Sequence, residues 1–111
     1  MDCYEIWCDL APGVKDLDFC SSVDAYLGEF VRQGDLRSYR IRRRKFGFGP
    51  ESLGEFCLTL EFDNLGALDR VFHAVAPRDG VVESLHHSVY SSVRNFKSAL
   101  YRDFPDAERV R

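Results

Sequence analysis

Leu36-Arg37-Ser38-Tyr39-Arg40-Ile41-Arg42-Arg43-Arg44-Lys45-Phe46 and Glu55-Phe56-Cys57-Leu58-Thr59-Leu60-Glu61-Phe62 decide the fold. Side chains alternate across a strand, so in the first segment Tyr39 and Ile41 point one way while Arg40, Arg42 and Arg44 point the other. In the second, Phe56, Leu58, Leu60 and Phe62 share one face, and Glu55, Cys57, Thr59 and Glu61 share the opposite one. Together they read as a β-hairpin with an apolar face that needs cover and a face rich in both charge signs. The connection Gly47-Phe48-Gly49-Pro50-Glu51-Ser52-Leu53-Gly54 is dense in turn residues, and Pro50 has no amide to give to a ladder. It is longer than a tight hairpin loop, which predicts a mobile tip. Its Gly47-Phe48-Gly49 is not read as a phosphate cradle, because such loops run from a strand into a helix N-terminus and this one runs strand to strand.

Outward from the hairpin, Tyr4–Leu10 alternates as a first strand, with Tyr4, Ile6, Cys8 and Leu10 on one side and Glu5, Trp7 and Asp9 on the other. Ala11-Pro12-Gly13 ends it. Asp16 or Asp18 is the expected N-cap of a helix over residues 17 to 33, with Phe19, Val23, Leu27, Phe30 and Val31 at helical spacing and Gly34 as its stop. After the hairpin, Asp63 or Asn64 caps a second helix whose stripe is Leu65, Leu68, Phe72 and Val75, closed by Pro77 and Gly80. Val82, Leu85, Val89 and Val93 keep a helical period and predict a third, shorter helix from Gly80–Val82. Asn95–Asp103 reads as helix or strand. The strand is preferred because it supplies a fourth member of the sheet, with Phe96, Ser98 and Leu100 on one face and Lys97, Ala99 and Tyr101 on the other. Phe104-Pro105-Asp106 ends it, and 104–111 is expected to fray.

The chain's 111 residues suit one domain, 1–111, with a core that needs no staples. A 45% hydrophobic and 14% aromatic content argues against disorder. The net charge of −3 leaves no footprint for nucleic acid, the basic run Arg40–Lys45 being local. No apolar stretch approaches the roughly 20 residues of a membrane span. Met1-Asp2-Cys3-Tyr4 lacks the charged and apolar regions of a signal peptide. Cys3, Cys8, Cys20 and Cys57 have no metal or redox spacing, so they read as reduced thiols of a cytoplasmic protein, a disulfide being the minority reading. No cofactor motif is present.

The order β-α-β-β-α-(α)-β is the split βαβ of the ferredoxin-like α+β plan, an antiparallel sheet with its helices on one face. That order, the length and the sided hairpin resemble the dimeric α+β barrel superfamily, which includes small monooxygenases, stress-responsive barrel proteins and lyase- or isomerase-like relatives. The ending Ser98-Ala99-Leu100-Tyr101-Arg102-Asp103-Phe104-Pro105-Asp106 resembles that of a group of uncharacterised small bacterial proteins of this plan. The resemblance implies a homodimer in which the sheet face away from the helices meets its mate and encloses a cleft. It carries no catalytic motif with it.

That face would bear Glu5, Trp7, Asp9, Arg40, Arg42, Cys57, Thr59, Glu61 and Tyr101. Charges cannot be left dry, so they pair or stay wet. The commoner outcome is ion pairing of Arg40 and Arg42 with Glu5, Asp9 and Glu61 across strands. The functional one is a cleft for a small acidic or polar molecule, lined by Trp7, Arg40, Arg42, Thr59, Glu61 and Tyr101, in which an arginine fork grips a carboxylate or enol oxygen. Arg44, near the strand end, is expected to be solvated. His86 is the acid–base candidate, since it borders the Leu85/Val89 stripe; His87 projects about 100° away, and His73 has no metal partner at i, i+4. For each histidine a surface or partly buried position without chemistry is the commoner fate. Three readings stand open: a binding protein; a cofactor-independent enzyme like the superfamily's monooxygenases or isomerases, with His86 moving a proton and Arg40 or Arg42 holding the oxyanion; and a structural dimer with no ligand.

Overall fold

The computed structural model describes residues 1–76 and 80–106, with Val81 and Val82 described in backbone only. Its order is β1 Asp2–Leu10, α1 Asp16–Gln33, β2 Ser38–Arg43, β3 Phe56–Phe62, α2 Leu65–Val75, α3 Gly80–Tyr90 and β4 Val93–Arg102. The four strands form one antiparallel sheet in the order β2-β3-β1-β4. This is the ferredoxin-like arrangement, and the two-way segment after Asn95 is a strand.

Strand β3 is central, and the expected alternation governs it. Phe56, Leu58, Leu60 and Phe62 are all buried beneath the helices, where they join Cys8, Leu36, Phe19, Val23, Leu27, Phe30, Ala67 and Val71 in one core. Phe19 meets Phe56 edge to face, centroids 5.3 Å apart. Register pairs Glu5 with Thr59 and Trp7 with Cys57 on one side of β3, and Arg40 with Thr59 and Arg42 with Cys57 on the other. One slip by a residue would drive these polar groups into the core.

The helix ends follow their capping chemistry with one departure. Gly34, at φ 84°, ends α1 in a left-handed turn as expected. At the other end the N-cap is Lys15, whose side chain makes no capping bond. Asp16 instead accepts from the Leu17 amide at 2.7 Å, and Asp16 and Asp18 oppose the helix dipole from inside the first turn. Asn64 caps α2 by accepting from the Ala67 amide at 3.0 Å.

The stripe of α2 is rotated from the expected one. Ala67 and Val71 are buried, while Leu65 and Phe72 remain 58% and 47% exposed. The small Ala67 lets the helix approach the sheet, and Phe72 then leans across the sheet onto Tyr4 of the interior strand β1, centroids 5.6 Å apart. Val31 of α1 is likewise exposed. Val93 does not extend α3 but opens β4, Pro77 and 107–111 lie outside the described residues, and the Val82 side chain is not described. Short of them, Asp103 donates its amide to the Met1 carbonyl and Arg102 its Nε to Asp106, so the chain is tied down as far as 106.

The β2–β3 connection is not a loose tip. Arg44, expected to be solvated, folds its guanidinium under the loop and donates from Nη2 to the carbonyls of Pro50 at 3.1 Å, Leu53 at 2.7 Å and Gly54 at 3.3 Å. Lys97 of β4 donates its ammonium to the Ser52 carbonyl from the far side. Loop carbonyls that point inward need such donors, and two cations supply them. Gly54 runs so close to β1 that a Cβ there would lie 2.3–2.6 Å from backbone atoms of Cys8. Gly54→Ala should therefore force β1 and β3 apart and cost about 1–3 kcal/mol, read as a lower midpoint in urea unfolding. An unchanged midpoint would show that the close approach carries no constraint.

Candidate functional site

The face of the sheet away from the helices carries the polar side chains in the order the alternation requires. At its centre Thr59, only 6% exposed, donates its hydroxyl to Glu5 Oε2 at 2.7 Å and accepts from Arg42 Nη2 at 2.7 Å. Arg42 Nη2 also lies 3.6 Å from Glu5 Oε2 and 3.6 Å from Cys57 Sγ, and the Cys57 thiol donates to Glu5 at 3.5 Å. Burial first, and then the Glu5 carboxylate, pushes that thiol's pKa up, so Cys57 is a poor nucleophile here. Of the cross-strand ion pairs the sequence suggested, Arg42–Glu5 forms. Asp9 takes a different part: it accepts from the Glu55 amide at 2.8 Å and from Asn95 Nδ2 at 3.1 Å, and these two bonds lower its pKa. It clamps β3 and β4 to β1 at the site of a register irregularity between Trp7 and Asp9. Glu61 accepts from Ser38 Oγ at 2.9 Å. Arg40 is exposed and has no polar partner among the described residues.

Of the six residues expected to line a cleft, the structure brings three together. Trp7, Arg42 and Tyr101 border a concavity of about 530 Å3 whose far wall is the Arg44-pinned loop, including Phe48. Thr59 lies behind Arg42, and Arg40 and Glu61 sit elsewhere on the same face, outside that concavity.

His86 is on the other side of the sheet. It lines a second cavity, of about 390 Å3, partly open to solvent, between the sheet and the three helices. Tyr4, Ile6, Leu58 and Leu60 make the floor, Val71, Phe72 and Val75 one wall, and Tyr26, Val89 and Tyr90 surround the imidazole. The His86 ring lies 5.5 Å from that of Tyr26 and 4.8 Å from that of Tyr90. Its Nδ1 faces Glu83 Oε2 at 3.6 Å, and both atoms are buried without a hydrogen-bond partner among the described residues. The expected pairing of His86 with Arg40 or Arg42 is thus not formed, because α3 packs on the helix side of the sheet while Arg40 and Arg42 of β2 point to the opposite face. His87 is exposed, with Nδ1 2.9 Å from the Tyr90 hydroxyl; His73 is exposed against Asp69. The cavity escaped the sequence reading, yet α3 announces it: Glu83, His86 and Tyr90 recur at i, i+3, i+7, one helical face.

All four cysteines are free thiols, and no group of three metal-type side chains converges among the described residues. No described helix is long and apolar enough to cross a membrane.

Burial, with a smaller push from Glu83, raises the Tyr26 hydroxyl from its ordinary 10.0 to about 12, and burial raises Cys8 from 9.0 to about 11. Both protons are held more tightly in the folded chain, so their stabilising share is complete below the unfolded values and is lost as pH rises through the folded ones. The melting temperature should fall between pH 9 and pH 12, and Tyr26→Phe should make that fall shallower. Parallel pH profiles for the two proteins would mean that the Tyr26 proton carries no such share.

The geometry can be set beside known proteins. A search of curated proteins finds no match. Among solved structures, a variant of SnoaB, a cofactor-independent oxygenase from Streptomyces nogalater, superposes with a TM-score of 0.70 at 9% identity, covering 96% of this chain and 95% of that one. The Arabidopsis thaliana protein At3g17210 gives a TM-score of 0.73 at 6% identity, over 96% of this chain and 99% of that one. A dimeric ferredoxin-like protein of unknown function from Jannaschia sp. CCS1 gives 0.65 at 13% identity, over 93% and 100%. These likenesses establish a shared ferredoxin-like fold. Over residues 1–111 the sequence matches a family described as one of unknown function, DUF6614, and the chain belongs to that family.

Proposed function

We propose that the helix-side cavity binds a small, largely apolar molecule and that His86 moves a proton on it. The observation that carries this reading is the buried pair of His86 Nδ1 and Glu83 Oε2, without a hydrogen-bond partner among the described residues and 3.6 Å apart at the wall of an apolar cavity. Polar atoms left unsatisfied in such a place cost stability, and a task on a ligand is a reason to retain them. With its Nδ1 proton turned toward Glu83, the imidazole presents the Nε2 lone pair for a substrate proton, and the carboxylate steadies the imidazolium that forms. A separation of 3.6 Å is long for a hydrogen bond and typical of such pairs before substrate tightens them. Tyr26 keeps its proton far above neutrality and so can donate to a developing oxyanion. It takes the part the sequence suggested for Arg40 or Arg42.

The reaction class this supports is abstraction of an acidic proton beside a carbonyl or on an aromatic hydroxyl, giving an enolate or phenolate. Chemistry of that kind needs no resident cofactor, in keeping with the description of SnoaB as a cofactor-independent oxygenase. Incubation with small phenols and 1,3-diketones in deuterated buffer, followed by NMR, should show exchange above the buffer rate. His86→Ala should lower that exchange by about 100-fold or more while leaving the melting temperature close to that of the parent. Exchange unchanged in His86→Ala, or none above buffer in the parent, would overturn the reading.

Self-association through the open sheet face is a second reading, favoured by Arg40. It is an exposed cation without a partner among the described residues, on a face where Arg42 is paired with Glu5 and Glu61 is bonded to Ser38. Several fold neighbours are described as dimeric. An isologous contact would give Arg40 a carboxylate from the second copy. Arg40→Ala should then raise the dimer dissociation constant several-fold in sedimentation equilibrium. A monomeric parent protein, or an unchanged constant, would remove this reading.

A further inference from the structure

We infer that the concavity on the open sheet face is a second, separate ligand site, and that it takes an aromatic carboxylate. Arg42 is the recognising group. Only its Nη2 is occupied, by Thr59, Cys57 and Glu5, while Nε and Nη1 have no partner among the described residues. Both two-donor edges of a guanidinium include Nη2, so each of these free donors offers a carboxylate oxygen one charge-assisted hydrogen bond. Thr59 and Glu5 hold the guanidinium from behind, so little side-chain freedom remains to be lost when a ligand binds.

The charge of the site favours an anion. Arg42, Arg43 and Arg44 border it against Glu5 and Glu55, and Glu55 is already engaged by Arg43. The walls favour a ring. Trp7 and Tyr101 come from neighbouring strands of the sheet, and Phe48, 81% exposed, stands on the facing loop. Large apolar side chains left open around a cation are the complement of a flat apolar anion. The loop wall is built rather than incidental, since Arg44 and Lys97 tie its carbonyls from two sides. A volume of about 530 Å3 accommodates one or two fused rings with a carboxylate.

Trp7 is the only tryptophan in the chain, so its fluorescence reports this site alone. Titration of the intact protein with benzoate, with calorimetry in parallel, should give saturable quenching. Benzyl alcohol, which keeps the ring and lacks the charge, should bind at least about tenfold more weakly. Arg42→Ala should weaken benzoate by a similar factor. Phe48→Ser, at an exposed loop position, should weaken it by a smaller factor without touching the Thr59–Glu5 bond. His86→Ala should leave it unchanged, which separates this site from the helix-side cavity. No saturable signal up to about 10 mM benzoate would overturn the inference. Equal binding of benzoate to the parent, Arg42→Ala and Phe48→Ser would overturn it too, as would loss of binding in His86→Ala alone, which would place the benzoate on the other side of the sheet.

Discussion

The molecule depends on β3 being covered on one face only. Phe56, Leu58, Leu60 and Phe62 lie under the helices and supply the floor of the core, so the residues between them have to face away. Thr59 is therefore delivered to the middle of the open face at the depth of a core residue, where a hydroxyl cannot remain unpaired. Glu5, its register partner on β1, and Arg42, which reaches it from two residues along β2, satisfy it. The polar network is thus a consequence of how the apolar half of the same strand is packed.

The same alternation sets two chemistries back to back. Tyr4 and Ile6 belong to the helix-side cavity, and Glu5 and Trp7 to the sheet-face concavity. One layer of backbone separates an apolar, half-open space containing a histidine from a shallower, arginine-lined one. The apolar space exists because α2 and α3 reach the sheet through small or branched residues, Ala67, Val71, Val75 and Val89, and leave the volume between Tyr26 and Phe96 unfilled. Dense interiors rarely leave such gaps without polar groups at their edge or a ligand to fill them.

Strand faces were legible in the sequence because a period of two is unambiguous once one face is apolar. Every residue from Glu5 to Tyr101 assigned to the open face lies there, and the strand after Asn95 follows from the need for a fourth sheet member. Helix faces were less legible. A stripe read at spacings of three and four can be rotated by a turn's fraction, and in α2 the small Ala67 wins the central position from larger Leu65 and Phe72 because a close helix approach buries more. The side of the sheet on which His86 would fall depends on how α3 packs, which no local pattern contains. Only Trp7, Arg42 and Tyr101 share a concavity, since Arg40 and Glu61 stand at other positions along the strands and the loop wall that defines the hollow is assembled by Arg44, a long-range contact.

Hairpin connections are ordinarily the part of a fold that drifts in length, because lengthening a loose loop costs little. Residues 47–54 have lost that freedom. Their carbonyls answer to Arg44 from one strand and Lys97 from another, and Gly54 abuts the Cys8 backbone. The loop behaves as a gauge block set between two strands: its length measures out the register of β2 against β3. An added or deleted residue would therefore reach beyond the surface and shift which side chains look up and which look down.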